Sequence, residues 1–243
     1  MKAIVLAAGK GKRLLSEQYN LPKVLREANG RSLINYVLEN IRFIPEQDTV
    51  IVAGYKKELL MEAVEGSYVF VSQDEQLGTG HAVMMTQPVF EGYSGDILIL
   101  YGDMPLFKVE TYKGIIEQHQ KSGAQCTILT AIVENPPDYG RIIRSEDGKF
   151  AGIIEKKDCT QEELKIKELN VGIYVFDSKV LFESLKELKN DNSQQEYYLT
   201  DVPKIMLQKG LKIDSYTIDD INQIYGVNTP EELKLCERIF ALS

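Results

Sequence analysis

Three cations, Lys10, Lys12 and Arg13, fall within four positions early in the chain, set among Gly9 and Gly11. Glycine lets backbone N–H groups turn toward a ligand with no Cβ in the way, and the cations supply charge opposite to an anion. A phosphate chain is the ligand such a loop suits. A strand-to-helix turn with a solvated basic face fits the same residues. Leu14 stands where a dinucleotide fingerprint has its third glycine, and the chain contains no G-x-x-x-x-G-K-[ST] loop. The second chemically able group is the carboxylate of Asp103, which follows the apolar run Asp96 to Tyr101.

Both groups sit where strands end. The run Ala3 to Ala8 is of strand length and too short for a membrane span, and it empties directly into the basic loop. Apolar spacing predicts a helix over 32–43 with Ser32 as N-cap, strands over 48–54 and 68–72, and helices over 56–64 and 81–89. That β-α-β-α-β order is a parallel sheet under construction. In open α/β sheets ligands bind outside the carboxyl ends of the strands, so the basic loop and Asp103 are expected to face one crevice. The second half changes character. Strands are expected over 125–133, 140–144, 150–155 and 170–176 with few helices between them, which predicts a mixed or antiparallel extension. Helices follow over 178–189 and 196–208, then a strand over 211–217. A closing helix spans 229–242, with Thr229 as N-cap and Pro230 at its first position. No internal repeat or low-complexity linker interrupts this order, so the chain reads as one continuous domain with a sub-lobe built by its second half.

Composition narrows the partners. With 243 residues, 44% hydrophobic and 26% charged, the chain has the make-up of a soluble globular protein. A net charge of −8 opposes binding to duplex nucleic acid or to an anionic membrane surface, so the basic loop is a local exception. Cys126, Cys159 and Cys236 lie far apart with no C-x-x-C spacing, which fits buried or incidental thiols in a reducing cytosol rather than a disulfide framework or a zinc site. The N-terminal apolar run is too short for a secretory leader, and no window is long enough to span a bilayer. A cytoplasmic location is the expectation.

Taken together, the motifs are far more specific than the first loop. LAAGKGKRL at 6–14, LPKVL at 21–25, QDEQLGTGHAV at 73–83, LYGDMPL at 100–106, YGRIIR at 139–144, IIEKKD at 153–158, ELNVGIYVF at 168–176, EYYLTDV at 196–202 and GVNTPEEL at 226–233 follow one another in this order. In that order and spacing they closely resemble the sugar-1-phosphate nucleotidyltransferases, from Lys2 to about Leu233. QLGTGHA and EYYLTD are similar to the uridyltransferase domain of the bacterial N-acetylglucosamine-1-phosphate uridyltransferase branch. The resemblance implies an α/β, Rossmann-like nucleotidyltransferase fold: a mostly parallel central sheet with helices on both faces, and a smaller antiparallel sugar-binding sub-lobe. It implies a nucleotidyltransferase domain over 1–228 closed by a C-terminal helix over 229–243.

Bifunctional members of that branch continue into a left-handed β-helix acetyltransferase of hexapeptide repeats, whereas these residues stop at Ser243, so no acetyl transfer is expected of them. Two departures stand out: Lys12 precedes the loop arginine where the family usually has Thr or Ser, and the Leu14 to Leu21 connection is a few residues longer than usual.

The same resemblance assigns roles. UTP and a sugar 1-phosphate are the substrates, Arg13 and Lys23 contact the triphosphate, and a Mg²⁺ cofactor is held by Asp103 and Asn228. Leu6, Ala7, Ala8, Gly9 and Gly11 cradle the nucleotide, and Gln73 with Gly78 and Thr79 reads the uracil. Tyr101, Gly102, Gly140, Glu155 and Asn170 line the sugar pocket, while His81 supports the loop rather than acting as a base. In isolation several of these residues carry blander meanings: Asp103 is a turn or cap residue, Lys23 a surface lysine, Asn228 a residue before a helix, and Gln73 an exposed glutamine. The implied activity makes UDP-N-acetylglucosamine and pyrophosphate. A transferase for another sugar 1-phosphate (glucose or glucosamine) or another nucleoside triphosphate, and a non-catalytic nucleotide-sugar sensor, are the alternatives. No membrane or nucleic-acid partner is implied, and no motif specifies an oligomeric state.

Overall fold

A computed structural model describes residues 1–14 and 19–242, with the backbone alone of Lys12. The long Leu14 to Leu21 connection and the side chain of Lys12 therefore lie partly or wholly outside the described residues. After β1 (Lys2–Ala7), Asn29 and Gly30 hold φ of 49° and 77° and turn a short hairpin of β2 (Glu27–Ala28) and β3 (Arg31–Ser32). Helix α1 (Leu33–Asn40) buries Leu33, Ile34, Val37 and Leu38, the face its spacing predicts. Ser32 precedes it in extended conformation but makes no capping bond, and its hydroxyl is buried without a partner, so the expected N-cap is positional only.

Strand β4 (Thr49–Ala53), helix α2 (Lys57–Ala63) and strand β5 (Val69–Ser72) lie within a residue or so of their expected spans. Helix α3 (Thr79–Met84) starts earlier and ends sooner than 81–89. Pro88 has no N–H to continue the ladder, and the chain tightens into a 3-10 turn over Gln87–Phe90. Strand β6 (Asp96–Tyr101) has the predicted ends. Helix α4 (Val109–Ser122), absent from the sequence reading, buries Tyr112, Ile115 and His119 and stops at Gly123 in the left-handed region.

The second half supplies β7 (Cys126–Ile132), β8 (Gly140–Arg144), β9 (Phe150–Ile154) and β10 (Glu168–Asp177). Helices α5 (Ser178–Leu185) and α6 (Val202–Gln208), strand β11 (Ile213–Ile218) and helix α7 (Pro230–Leu242) follow. The helix expected over 196–208 fills only the second half of that span. The N–H of Tyr197 donates to the carbonyl of Leu77 (2.8 Å) and its carbonyl accepts from Gly80 (2.8 Å), which commits this backbone to the 77–80 loop rather than to a helix.

One sheet runs β11-β7-β10-β6-β1-β4-β5, with β8 paired to β10 and β9 to β8. Strands β6, β1, β4 and β5 are parallel, as are β7 and β11. β10 is antiparallel to β6 and β7, and with β8 and β9 it forms the smaller antiparallel extension. Side chains alternate across the sheet. Ala3, Val5 and Ala7 of β1 pack with α1, α2 and α4 on one face, while Ile4 and Leu6 pack with α3, α5 and α6 on the other. Helices therefore cover both faces, and the central strands read as continuous apolar runs because both sides are buried. A third apolar cluster joins Cys236 of α7 to Leu14, Ala28, Leu33, Leu106 and Val227, and Phe240 stacks on Tyr36 with ring centroids 4.2 Å apart.

From β1 the chain passes through β4 to β5 in one direction, whereas β6 lies on the other side of β1. The strand order thus reverses between β1 and β6. Such a switch point opens a crevice at the carboxyl ends of the strands, and both the basic loop and Asp103 leave the sheet there. No helix among the described residues is long and apolar enough to cross a membrane. All three cysteines are free; Cys126 and Cys236 are buried and Cys159 is half-buried.

Candidate functional site

Two cavities open at the carboxyl edge of the parallel strands. The first, about 350 Å³, is lined by Leu6, Ala7, Ala8, Gly9, Gly11, Arg13, Lys23, Gln73 and Gly78. The second, about 250 Å³, is lined by Gly140, Glu155, Asn170, Tyr139 and Tyr198. They share a wall made of Thr79, Tyr101, Asp103, Glu196 and Asn228. Of the residues assigned above to the triphosphate, the nucleotide, the sugar or the metal, Gly102 alone lines neither cavity. It lies behind the wall, donating its N–H to the carbonyl of Leu6 (2.9 Å), and a Cβ there would come 3.2 Å from Val24, so its place in the fold is a close approach of backbone.

At the shared wall, Lys23 joins residues from three parts of the chain. Its ammonium contacts the Asp103 carboxylate and donates to Oδ1 of Asn228 at 2.7 Å, and Arg13 donates to the same oxygen at 3.3 Å. The Lys23 and Asp103 side chains are only 11% and 20% exposed, so this pair is screened far less than the surface ion pairs elsewhere. Lys23 follows Pro22, whose φ of −59° holds an extended entry into the 3-10 turn Lys23–Leu25. Asp103 follows β6, and the carbonyl of Asp103 accepts the N–H of Val227 (3.0 Å), which draws the 226–228 segment back to the crevice.

Asn228 is then fixed by the start of α7. The Glu232 carboxylate accepts the N–H of Asn228 (2.6 Å) and of Thr229 (3.0 Å), while the Thr229 hydroxyl accepts the N–H of Glu232 (3.2 Å). This is a capping box, and Thr229 is the N-cap its sequence predicts.

In the first cavity Gln73 is 3% exposed, not the surface glutamine that its sequence also allowed. Its Nε2 donates to the carbonyl of Gly78 (3.0 Å) and meets Nδ1 of His81 (3.0 Å). Only a nitrogen can face the Gly78 carbonyl, so the amide orientation is set, and Nδ1 of His81 is the acceptor with its proton on Nε2. Oε1 is left as the acceptor toward a ligand. His81 thus braces Gln73. Gly78 has φ 111° and lies so close to Tyr197 that a Cβ would come 2.6 Å from the Tyr197 carbonyl.

In the second cavity the Glu155 carboxylate accepts from the Thr200 hydroxyl (3.0 Å). Burial pushes the Glu155 carboxyl above its ordinary range, and Asp201, Asp158 and Glu196 push the same way, against the lowering effect of the Thr200 donor. Burial likewise raises the phenols of Tyr101 and Tyr139, which stay protonated as donors. Asn170 is buried, donates to the Tyr174 hydroxyl (2.8 Å) and accepts from the N–H of Gly172 (3.3 Å). Gly172 sits where the β10 pairing slips, with φ 87°, and a Cβ on it would come 2.6 Å from the Tyr101 ring. The kink it permits seats Tyr101 between the two cavities.

A cavity carrying two cations and a second, polar cavity thus meet at a carboxylate held by Lys23. A family model described as nucleotidyl transferase matches residues 2–222. The chain belongs to the nucleotidyl transferase family. It is 44% identical over 237 residues to the bifunctional protein GlmU of Streptococcus gordonii, covering 98% of this chain and 51% of that one. The bifunctional protein GlmU of Streptococcus thermophilus matches to the same extent, 44% over 98% of this chain and 51% of its own length. The chain therefore spans about half the length of the curated relatives it matches. A solved UDP-glucose pyrophosphorylase complexed with UDP-glucose shares the fold, with TM-score 0.77 at 18% identity over 99% of this chain and 98% of that one.

In this nucleotidyl transferase, sequence reasoning passed over Gln76, Glu196, Tyr139, Tyr198 and Gln194 as cavity residues. Glu196 and Tyr198 fall inside EYYLTDV, a motif used there only as a mark of resemblance, so the signal to look further was present. Tyr139 likewise opens the quoted motif YGRIIR. It is held by its hydroxyl on the carbonyl of Ile224 (2.7 Å), a contact between segments 85 positions apart.

Proposed function

We propose that the chain transfers a uridylyl group from UTP to N-acetylglucosamine 1-phosphate, giving UDP-N-acetylglucosamine and pyrophosphate. The observation that carries this is the shared wall: Thr79, Tyr101, Asp103, Glu196 and Asn228 border both a cavity that carries the cations Arg13 and Lys23 and a polar cavity. A reaction between two phosphate-bearing substrates needs them held side by side at one point of high positive charge. The ordered motifs and the 44% identity to GlmU proteins support uridylyl transfer in particular.

In this reading a phosphate oxygen of the sugar 1-phosphate attacks the α-phosphorus of UTP in line with departing pyrophosphate. A new P–O bond forms as the bond to the β-phosphate oxygen breaks, and no covalent enzyme intermediate is needed. Arg13 and Lys23 hold the triphosphate and meet the charge that builds on the leaving group. Gly9 and Gly11 let the β1 loop approach the phosphates, and Oε1 of Gln73 accepts the N3–H of uracil beside the backbone of Gly78 and Thr79. Glu155, Asn170, Gly140 and Tyr101 receive the hydroxyls and acetamido group of the sugar. The division into a transferase domain over 1–228 and a closing helix over 229–243 belongs to the same reading.

The residues present also fit a magnesium ion. Asp103 and Asn228 offer one carboxylate and one neutral oxygen, close enough together that a single ammonium touches both. Magnesium suits such a pair and keeps its other positions for water and substrate oxygens. Among the described residues no group of three or more His, Cys, Asp or Glu side chains is gathered for a metal, so this pair would bind one weakly by itself. When bound, the ion would neutralise phosphate charge between the substrates. Pyrophosphate release measured across a panel of nucleoside triphosphates and sugar 1-phosphates, with and without chelator, tests the proposal.

A further inference from the structure

Of EYYLTDV, residues 196–202, the reaction as proposed uses only Glu196, which stands in the shared wall. In the fold the motif is a bridge. The carbonyl of Tyr197 accepts the N–H of Gly80 (2.8 Å), and the N–H of Leu199 donates to the Thr79 hydroxyl (3.1 Å), so this segment is tied to the loop that faces the nucleotide cavity. One residue later, the Thr200 hydroxyl donates to Oε1 of Glu155 (3.0 Å) in the sugar cavity. Thr200 is 4% exposed and lines neither cavity, so it reaches a ligand only through Glu155.

We infer that Thr200 is a positioning residue that aims the Glu155 carboxylate at the hydroxyls of the sugar 1-phosphate. The inference rests on the uridylyl-transfer reading above. Glu155 has no Lys or Arg ion pair among the described salt bridges, so nothing of opposite charge fixes its orientation. Glu155 stands between β9 and the 3-10 turn Lys156–Asp158, and a glutamate side chain has several staggered rotamers to choose among. A single hydroxyl donor from the 3-10 turn Leu199–Asp201, just before α6, selects one of them and leaves the second carboxylate oxygen for the ligand. Because the adjacent Leu199 grips Thr79, the aim of Glu155 is also referred to the wall that borders the nucleotide.

The test is steady-state kinetics of pyrophosphate release, with each substrate varied in turn, on the parent chain, Thr200→Val, Thr200→Ala, Thr200→Ser and Glu155→Ala. A lost hydrogen bond to a charged acceptor should raise KM for N-acetylglucosamine 1-phosphate roughly tenfold or more in the Val and Ala variants, with KM for UTP within about twofold of the parent. Thr200→Ser keeps the donor and should restore the parent value. Adding Thr200→Val to Glu155→Ala should raise that KM no further, since the group being aimed is gone. A purely structural role would lower the melting temperature and disturb both substrates alike. Equal rises in both KM values, an unchanged sugar KM in the Val and Ala variants, or full additivity with Glu155→Ala each overturn the inference while leaving the activity in place. A parent chain inactive with every pair in the panel overturns the uridylyl-transfer reading and this inference with it.

Discussion

The ammonium of Lys23 donates to Oδ1 of Asn228 at 2.7 Å while it also contacts the carboxylate of Asp103, so one cation bridges the two oxygens proposed for the metal. Those residues come from just after β6 and just before α7, and the crevice closes around them through the Asp103 carbonyl bond to Val227 and the Glu232 cap on Asn228. With no nucleotide present, a divalent ion must displace the ammonium. Triphosphate oxygens offer Lys23 another partner, so metal and nucleotide should bind in concert.

Lys23→Met keeps the stem and removes the charge, so the nucleotide-free protein should bind Mn²⁺ about tenfold more tightly or better than the parent. Electron paramagnetic resonance of free Mn²⁺ measures this directly. Equal or weaker binding in the variant contradicts competition for the same oxygens.

Loss of either cation should cost turnover more than folding. Lys23→Ala and Arg13→Ala should each lower kcat roughly 100- to 1000-fold, the usual effect of removing one donor from a site that stabilises developing charge. Melting temperatures serve as the control, and Arg13, being exposed, should leave them unchanged. A variant with near-parent kcat removes that residue from the triphosphate.

Nε2 of Gln73 is committed to Gly78 and His81, which leaves Oε1 to accept a proton from the base. Uracil has an N3–H to give and cytosine does not, so the parent should reject CTP because Oε1 would stay buried and unpaired. Gln73→Ala should shrink the UTP-to-CTP ratio of kcat/KM by about tenfold or more. A parent that uses CTP as readily as UTP ends the assignment.

Much of this was readable from the chain, and the reasons for the rest are specific. β6 was found at its ends because both of its faces are buried and its apolar run is unbroken. Helix α4 was missed although Tyr112, Ile115 and His119 recur at helical spacing and Gly123 marks the stop; its outward face is so polar that the inner stripe is thin. The Asn29-Gly30 hairpin carried a strong turn signal that went unused because its strands are two residues each. The second half of the site was beyond local pattern altogether. The Glu155–Thr200 bond spans 45 positions, and Tyr197 closes over Gly78, whose carbonyl accepts the Gln73 amide. Motif order brought these residues to notice, but only the fold states which oxygen is engaged and which is left for a ligand.

The raised carboxyl of Glu155 sets a pH dependence. Its pKa is higher folded than unfolded, so the native state holds more protons, and stability falls as pH rises from the ordinary carboxylate range through the folded pKa. Glu155→Gln removes that titration. The variant should melt above the parent at about pH 7.5, and the gap should close as pH falls below the ordinary carboxylate range, where the parent carboxyl is protonated in both states. A parent more stable than the variant at neutral pH contradicts a Glu155 carboxyl raised mainly by burial.

The central claim is that the two cavities take a uridine triphosphate and an N-acetylated sugar 1-phosphate and transfer the uridylyl group from the first to the second, releasing pyrophosphate. The most direct measurement is pyrophosphate release by the purified chain with magnesium, each of UTP, CTP, ATP and GTP being paired with N-acetylglucosamine 1-phosphate, glucosamine 1-phosphate and glucose 1-phosphate. The account predicts the highest kcat/KM for UTP with N-acetylglucosamine 1-phosphate and loss of release on chelation. Preference for another pair, or no release from any of them, would contradict it.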